Sequence, residues 1–127
     1  MRELDERGVP EGYPFQDGLE MTAREASEAL KSRRDGFILI DCREPFEVAM
    51  ASVEGALLIP KGDTPARLNE IDADEDTPVG VLCHTGVRSL HVARFLQEQG
   101  LSGARSIVGG IELWSIDIDP GVPRYTK

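Results

Sequence analysis

Short, mostly apolar runs recur along the chain, each bounded by turn residues: Phe37-Ile38-Leu39-Ile40, Ala56-Leu57-Leu58-Ile59, Val79-Gly80-Val81-Leu82 and Ser106-Ile107-Val108. Runs that do not alternate with polar residues suit strands buried on both faces. Pro60 stops the second run, and Leu19 to Met21 reads as a further short strand. Helical signals fall between them. Thr22 with Glu25 three residues later makes a capping box, which predicts a helix from about Ala23 to Arg33 that ends near Asp35-Gly36. Asp63 or Thr64, followed by Pro65, opens a short helix toward Ile71. An amphipathic helix from Arg88 to Gln99 carries Leu90, Ala93, Phe95 and Leu96 on its apolar face and is closed by Gly100. Gly109-Gly110 leads into a short helix holding Leu113 and Trp114. Short buried strands alternating with helices predict an α/β domain with a mainly parallel sheet. Gly8, Pro10, Gly12, Pro14 and Gly18 make residues 1–18 an irregular arm. The domain proper spans 19–127, with an irregular tail from about 117.

Composition narrows the function classes. The 127 residues suffice for one core; 40% are hydrophobic and 29% charged, as in ordinary globular proteins. A net charge of -9 without a Lys/Arg cluster argues against a nucleic-acid partner. No apolar run approaches a membrane span, and Met1 to Gln16 lacks the apolar centre of a signal peptide, so a cytoplasmic protein without a membrane partner is expected. The two cysteines, Cys42 and Cys83, fit neither a disulfide framework nor a metal-ligand spacing.

In parallel sheets, ligands bind beyond the carboxyl ends of the strands. Two segments fall there: Asp41-Cys42-Arg43-Glu44, and Cys83-His84-Thr85-Gly86-Val87-Arg88-Ser89. The second is a short strand-to-helix turn containing a glycine. Such a turn can curl so that successive amides point inward, and the start of the following helix adds its free N–H groups and dipole. Cys83 sits at the base of this anion cradle, with Arg88 as a nearby cation. These are the surroundings that favour a thiolate or a persulfide anion. The plainer reading, a small buried cysteine ending a strand, sits poorly with a polar turn and a Gly-x-Arg directly after it.

The Cys83-to-Ser89 turn resembles the active-site loop of single-domain rhodaneses. Asp41-Cys42-Arg43-Glu44-Pro45-Phe46-Glu47 is similar to that family's Asp-x-Arg-x-x-x-Glu motif. Glu54-Gly55-Ala56 with Ile59-Pro60, and Gly109-Gly110-Ile111 with Trp114, resemble two further segments. The likeness runs from about residue 20 to 116. It departs at Ala51-Ser52-Val53, where Gly-His-Ile is common, and at His84, where Arg is common. The resemblance implies a three-layer fold with helices on both faces of the sheet and a sulfurtransferase needing no cofactor and no metal. In such an enzyme Cys83 takes sulfane sulfur from thiosulfate or from a protein persulfide, and His84, Thr85, Gly86, Val87, Arg88 and Ser89 hold it. The acceptor then removes it. The tail from Trp114 to Tyr125 is similar to rhodanese domains fused to adenylating enzymes, which implies a sulfur-carrier protein as a further partner.

Asp41 and Arg43 are expected to support the loop as a pair. Cys42 is either a resolving thiol or, as for most free cysteines, a core residue. Trp114 reads as core packing or a pocket wall. Lys61 and Arg67 read as solvated cations or as contacts for an anionic donor. His84 reads as a solvent-facing loop residue. Two rivals share the fold. A cysteine phosphatase or arsenate reductase would carry five residues between Cys and Arg to wrap a tetrahedral oxyanion, where this chain has four. A non-catalytic interaction module would usually lack the cysteine.

Overall fold

Five short strands form one sheet: β1 (Glu20–Met21), β2 (Ile38–Asp41), β3 (Leu57–Leu58), β4 (Val79–Leu82) and β5 (Ala104–Ile107). Their order is β1-β5-β4-β2-β3, and every neighbouring pair is parallel. The structure, a computed structural model, describes residues 3–126. The first two residues of the expected arm and the last of the expected tail lie outside the described residues.

Side chains along the strands alternate between two cores, as the pleat requires. Ile40, Cys42, Val79, Val81 and Cys83 pack with Val92, Ala93 and Leu96 of helix α3 (Val87–Glu98). Leu39, Leu82 and Ile107 face the opposite way, onto Ala23 and Ala26 of helix α1 (Ala23–Ser32), together with Ile111 and Trp114. Helices therefore cover both faces, giving three layers. Because β2 has β3 on one side and β4 on the other, the strand order turns between β2 and β4. This is the crevice where the two cysteine-bearing segments emerge.

The capping box forms as expected: Thr22 Oγ1 accepts from the Glu25 amide at 3.0 Å, and Glu25 Oε1 from the Thr22 amide at 2.9 Å. Two features differ from the local reading. The helix expected from 63 or 64 to 71 is two 3₁₀ turns, Lys61–Asp63 and Leu68–Glu70. The Thr64 and Ile71 amides bond back three residues, to the Lys61 and Leu68 carbonyls, so each turn closes as 3₁₀ and no continuous α-helical ladder joins them. A helix that the local signals had not suggested, α2 (Pro45–Met50), follows β2 directly. Pro45 at its first position and reciprocal bonds between Glu44 and Glu47 start it. Helix α4 (Gly110–Leu113) runs on into a π-helical turn, Trp114–Ile118, and the described tail beyond it, 119–126, contains no helix or strand.

The arm is docked on the domain. Leu4 bridges Pro10, Val9 is buried with Val108 and Leu113, and Arg24 on α1 binds both the Asp117 carboxylate and the Glu6 carbonyl.

Candidate active site

Cys83 is the first residue past β4, and the loop from His84 to Gly86 turns the chain into α3. Gly86 takes φ +103° at the helix start, a conformation that an L side chain rarely adopts, and a Cβ there would meet the Gly109 amide nitrogen at 3.2 Å. The turn aims its donors at one atom. The Gly86 amide lies 3.1 Å and the Ser89 amide 3.4 Å from Cys83 Sγ. Ser89 Oγ lies 3.3 Å from the same sulfur and 2.7 Å from Ser106 Oγ on β5. The cysteine is 1% exposed, yet its sulfur faces this ring of donors and not aliphatic packing alone.

These surroundings favour the thiolate. The Cys83 pKa is pulled down to about 5, first by the Cys42 thiol beside it and then by the Ser89 hydroxyl, the Ser89 amide and the Gly86 amide, against the opposing effect of burial. Cys42 moves the other way. Its hydrogen bond with the Cys83 sulfur, its own burial and its neighbour's negative charge push its thiol well above the ordinary range.

Arg88 does not point a free charge into the cradle. Its Nη1 and Nη2 donate to Glu47 Oε1 and Oε2 at 2.7 and 2.8 Å, clamping the start of α3 to α2. Glu47 is buried and also accepts from the Glu44 amide and the Tyr125 hydroxyl; Arg88 foremost holds its carboxyl down at about 2. Arg43 is fully buried. Its Nε and Nη2 donate to Asp41 at 2.9 and 2.6 Å, and its other donors reach the Glu47 carbonyl, the Ala51 carbonyl and the Tyr125 hydroxyl. The Asp41–Arg43 pair therefore holds α2 against the end of β2.

The back of the loop is fixed by α4. The Ile111 and Glu112 amides donate to the Cys83 and His84 carbonyls at 2.8 and 3.1 Å. Gly110 permits this approach, since a Cβ there would lie 2.4 Å from the Cys83 carbonyl oxygen. His84 is half-buried, its ring stacked on Tyr125 with centroids 4.1 Å apart. Thr85 and Val87 are exposed at the mouth.

Other marked residues fall elsewhere. Trp114 is core packing under α1. Arg67 is paired with Glu70, and Lys61 Nζ lies 3.2 Å from His91 Nδ1. A cavity of about 520 Å³ lies on the α1 face, lined by Leu30, Gly55, Trp114 and Asp119 among others, and contains no residue of the loop. Local patterns did not mark two residues of the site as functional. Glu47 stood in the Asp-x-Arg-x-x-x-Glu motif without a role, and the Arg–Glu complementarity of the two motifs was the available signal. Tyr125 stood at the end of the tail that resembles fused rhodanese domains, also without a role.

The family model for the rhodanese-like domain matches residues 22–117. A protein named sulfurtransferase from Allochromatium vinosum is 34% identical over 92 residues, covering 70% of this chain and 84% of its own. The probable adenylyltransferase/sulfurtransferase MoeZ of Mycobacterium tuberculosis is 32% identical over 108 residues, covering 85% of this chain and 27% of its own. The chain spans only about a quarter to a third of the length of several curated relatives it matches. Among solved structures, a rhodanese-related protein from Thermoplasma volcanium superposes with a TM-score of 0.67 at 28% identity, over 83% of this chain and 95% of that one.

Proposed function

The chain belongs to the rhodanese-like domain family of sulfurtransferases, and from that premise we propose that it moves sulfane sulfur through a persulfide on Cys83. The observation that carries this reading is the convergence of the Gly86 amide, the Ser89 amide and the Ser89 hydroxyl on the single sulfur of Cys83. Such donors stabilise a thiolate before transfer and a persulfide anion after it. With thiosulfate, the Cys83 thiolate attacks the outer sulfur, the sulfur–sulfur bond breaks, and sulfite leaves with the bonding pair. A nucleophilic acceptor then takes the terminal sulfur and restores the thiolate. The short loop, with four residues between Cys83 and Arg88, supports cargo of one sulfur over a tetrahedral oxyanion. Arg88, Asp41 and Arg43 hold the loop in shape; Thr85 and Val87 border the entrance. The reaction as proposed uses only side chains and amides of the protein and takes place in the cytoplasm.

The similarity to MoeZ, whose name joins adenylyl transfer to sulfur transfer, favours an activated acyl group on a sulfur-carrier protein as acceptor. A separate adenylating enzyme would supply that group. Replacing Cys83 with Ser is expected to abolish thiosulfate:cyanide transfer and carrier thiolation, while Cys42→Ser retains cyanide transfer. Activity surviving in Cys83→Ser would overturn the mechanism. Cyanide transfer without carrier thiolation would remove the carrier alone.

A further inference from the structure

The transfer reaction leaves a second buried sulfur unused. Asp41 and Leu82 are register partners on β2 and β4, and the Cys42 amide donates to the Leu82 carbonyl at 2.9 Å as the last rung between them. One step along each strand stand Cys42 and Cys83, side by side at the point where both strands leave the sheet. Both side chains belong to the core on the α3 face, so they project the same way from neighbouring backbones. Adjacent strands lie roughly 4.8 Å apart. That falls within the range of about 4.4–6.8 Å between α-carbons that a disulfide spans. Past the last rung the Cys42 and Cys83 carbonyls are held by the Lys61 and Ile111 amides at 2.9 and 2.8 Å, so the bond is made by the two side chains turning toward each other.

We propose that Cys42 is an internal resolving thiol: when no acceptor engages the loaded site, it attacks Cys83 Sγ, expels the outer sulfur as hydrosulfide and leaves a Cys42–Cys83 disulfide. This rests on the persulfide reading above. The step balances within the molecule. A bond forms between the two cysteine sulfurs and the persulfide bond breaks. Its electron pair leaves on the outer sulfur, and the Cys42 proton goes with it, giving HS⁻. Cys42 is oxidised to disulfide sulfur while the sulfane sulfur is reduced, and a dithiol reductant later restores both thiols. The chemistry of loading prepares the attack. While Cys83 is a thiolate, its charge keeps Cys42 protonated and inert. Once Cys83 carries sulfur, the charge moves outward to the terminal atom and that restraint relaxes. The site therefore discharges unclaimed sulfur and then stays locked until reduced.

The test loads the full chain and its Cys42→Ser and Cys42→Ala variants with thiosulfate, removes small molecules and follows intact mass, hydrosulfide and disulfide-linked peptides without acceptor. Wild type is expected to lose the added sulfur and release about one equivalent of hydrosulfide. It should end two hydrogens lighter than the reduced chain, with Cys42 and Cys83 in one cross-linked peptide. Both variants should keep the added sulfur at least tenfold longer. Equal persulfide lifetimes in all three proteins, or hydrosulfide release without the cross-link, would overturn the resolving role alone. Failure of all three to gain sulfur would overturn the sulfurtransferase reading and this inference with it.

Discussion

At the scale of single residues, the site converts backbone geometry into sulfur chemistry. The Cys42 thiol, two amides and one hydroxyl act on Cys83, and the hydroxyl is the donor within the turn that substitution can remove without altering its path. Hydrogen bonds to a charged group contribute about 1.5–3 kcal/mol. Ser89→Ala is therefore expected to move the Cys83 thiolate transition from about 5 toward about 6, because losing a donor to the charged form raises the pKa. The alkaline plateau of transfer stays, while its acid limb shifts to higher pH and the rate on the plateau falls about tenfold. Ultraviolet absorbance of the thiolate against pH, alongside the pH–rate profile, measures this. One thiol should titrate in that range and not two, since Cys42 is pushed upward.

At the scale of elements, the loop is held between α2 and α4. The Glu47–Arg88 pair is the strut on the α2 side, and its carboxylate carries a pH signature. A carboxyl held at about 2 in the fold contributes stability that is complete above its ordinary pKa and is lost as pH falls from about 5 toward 2. Glu47→Gln is expected to cost on the order of 2–3 kcal/mol at neutral pH, a gap that narrows as wild type is acidified. Urea denaturation at several pH values checks it, and a gap that stays constant with pH would contradict it. This strut also marks how far the sequence could be read. Buried strands and the Thr22–Glu25 cap announced themselves because their causes are local. Helix α2 was hidden because its six residues are too few to display a period, and because Glu44 caps it where Ser, Thr, Asp or Asn would have signalled a start. The apparent helix after Asp63 failed for the converse reason: Pro65 looks like a first helical residue, but the turns on either side close over three residues.

At the scale of the molecule, the tail returns to the site. The Tyr125 hydroxyl accepts from Arg43 at 3.0 Å and donates to Glu47 at 2.9 Å, partners 82 and 78 residues away in the chain. No window along the sequence reveals such contacts, which is why the cysteine turn was legible and its outer brace was not. Arg124, bonded to Glu112, holds the same strand of tail against α4. Tyr125→Leu removes both hydrogen bonds and the stack on His84, leaving Arg43 and Glu47 each one partner short. The expected loss is about 2–3 kcal/mol, against about 1–2 for Tyr125→Phe, read from urea midpoints at unchanged slope. Equal losses in the two variants would assign the whole effect to the hydroxyl.

The pairing of Glu20 with Ser106 joins the earliest strand to the latest. During synthesis, then, the chain must leave the ribosome through Ser106 before this outer ladder can close, a high-contact-order step. Ser106 also steadies Ser89 from beneath. A nascent chain that has extruded its nucleophile but not yet Ser106 thus lacks the floor of the cradle, and competence to handle reactive sulfur waits for the last strand of the sheet.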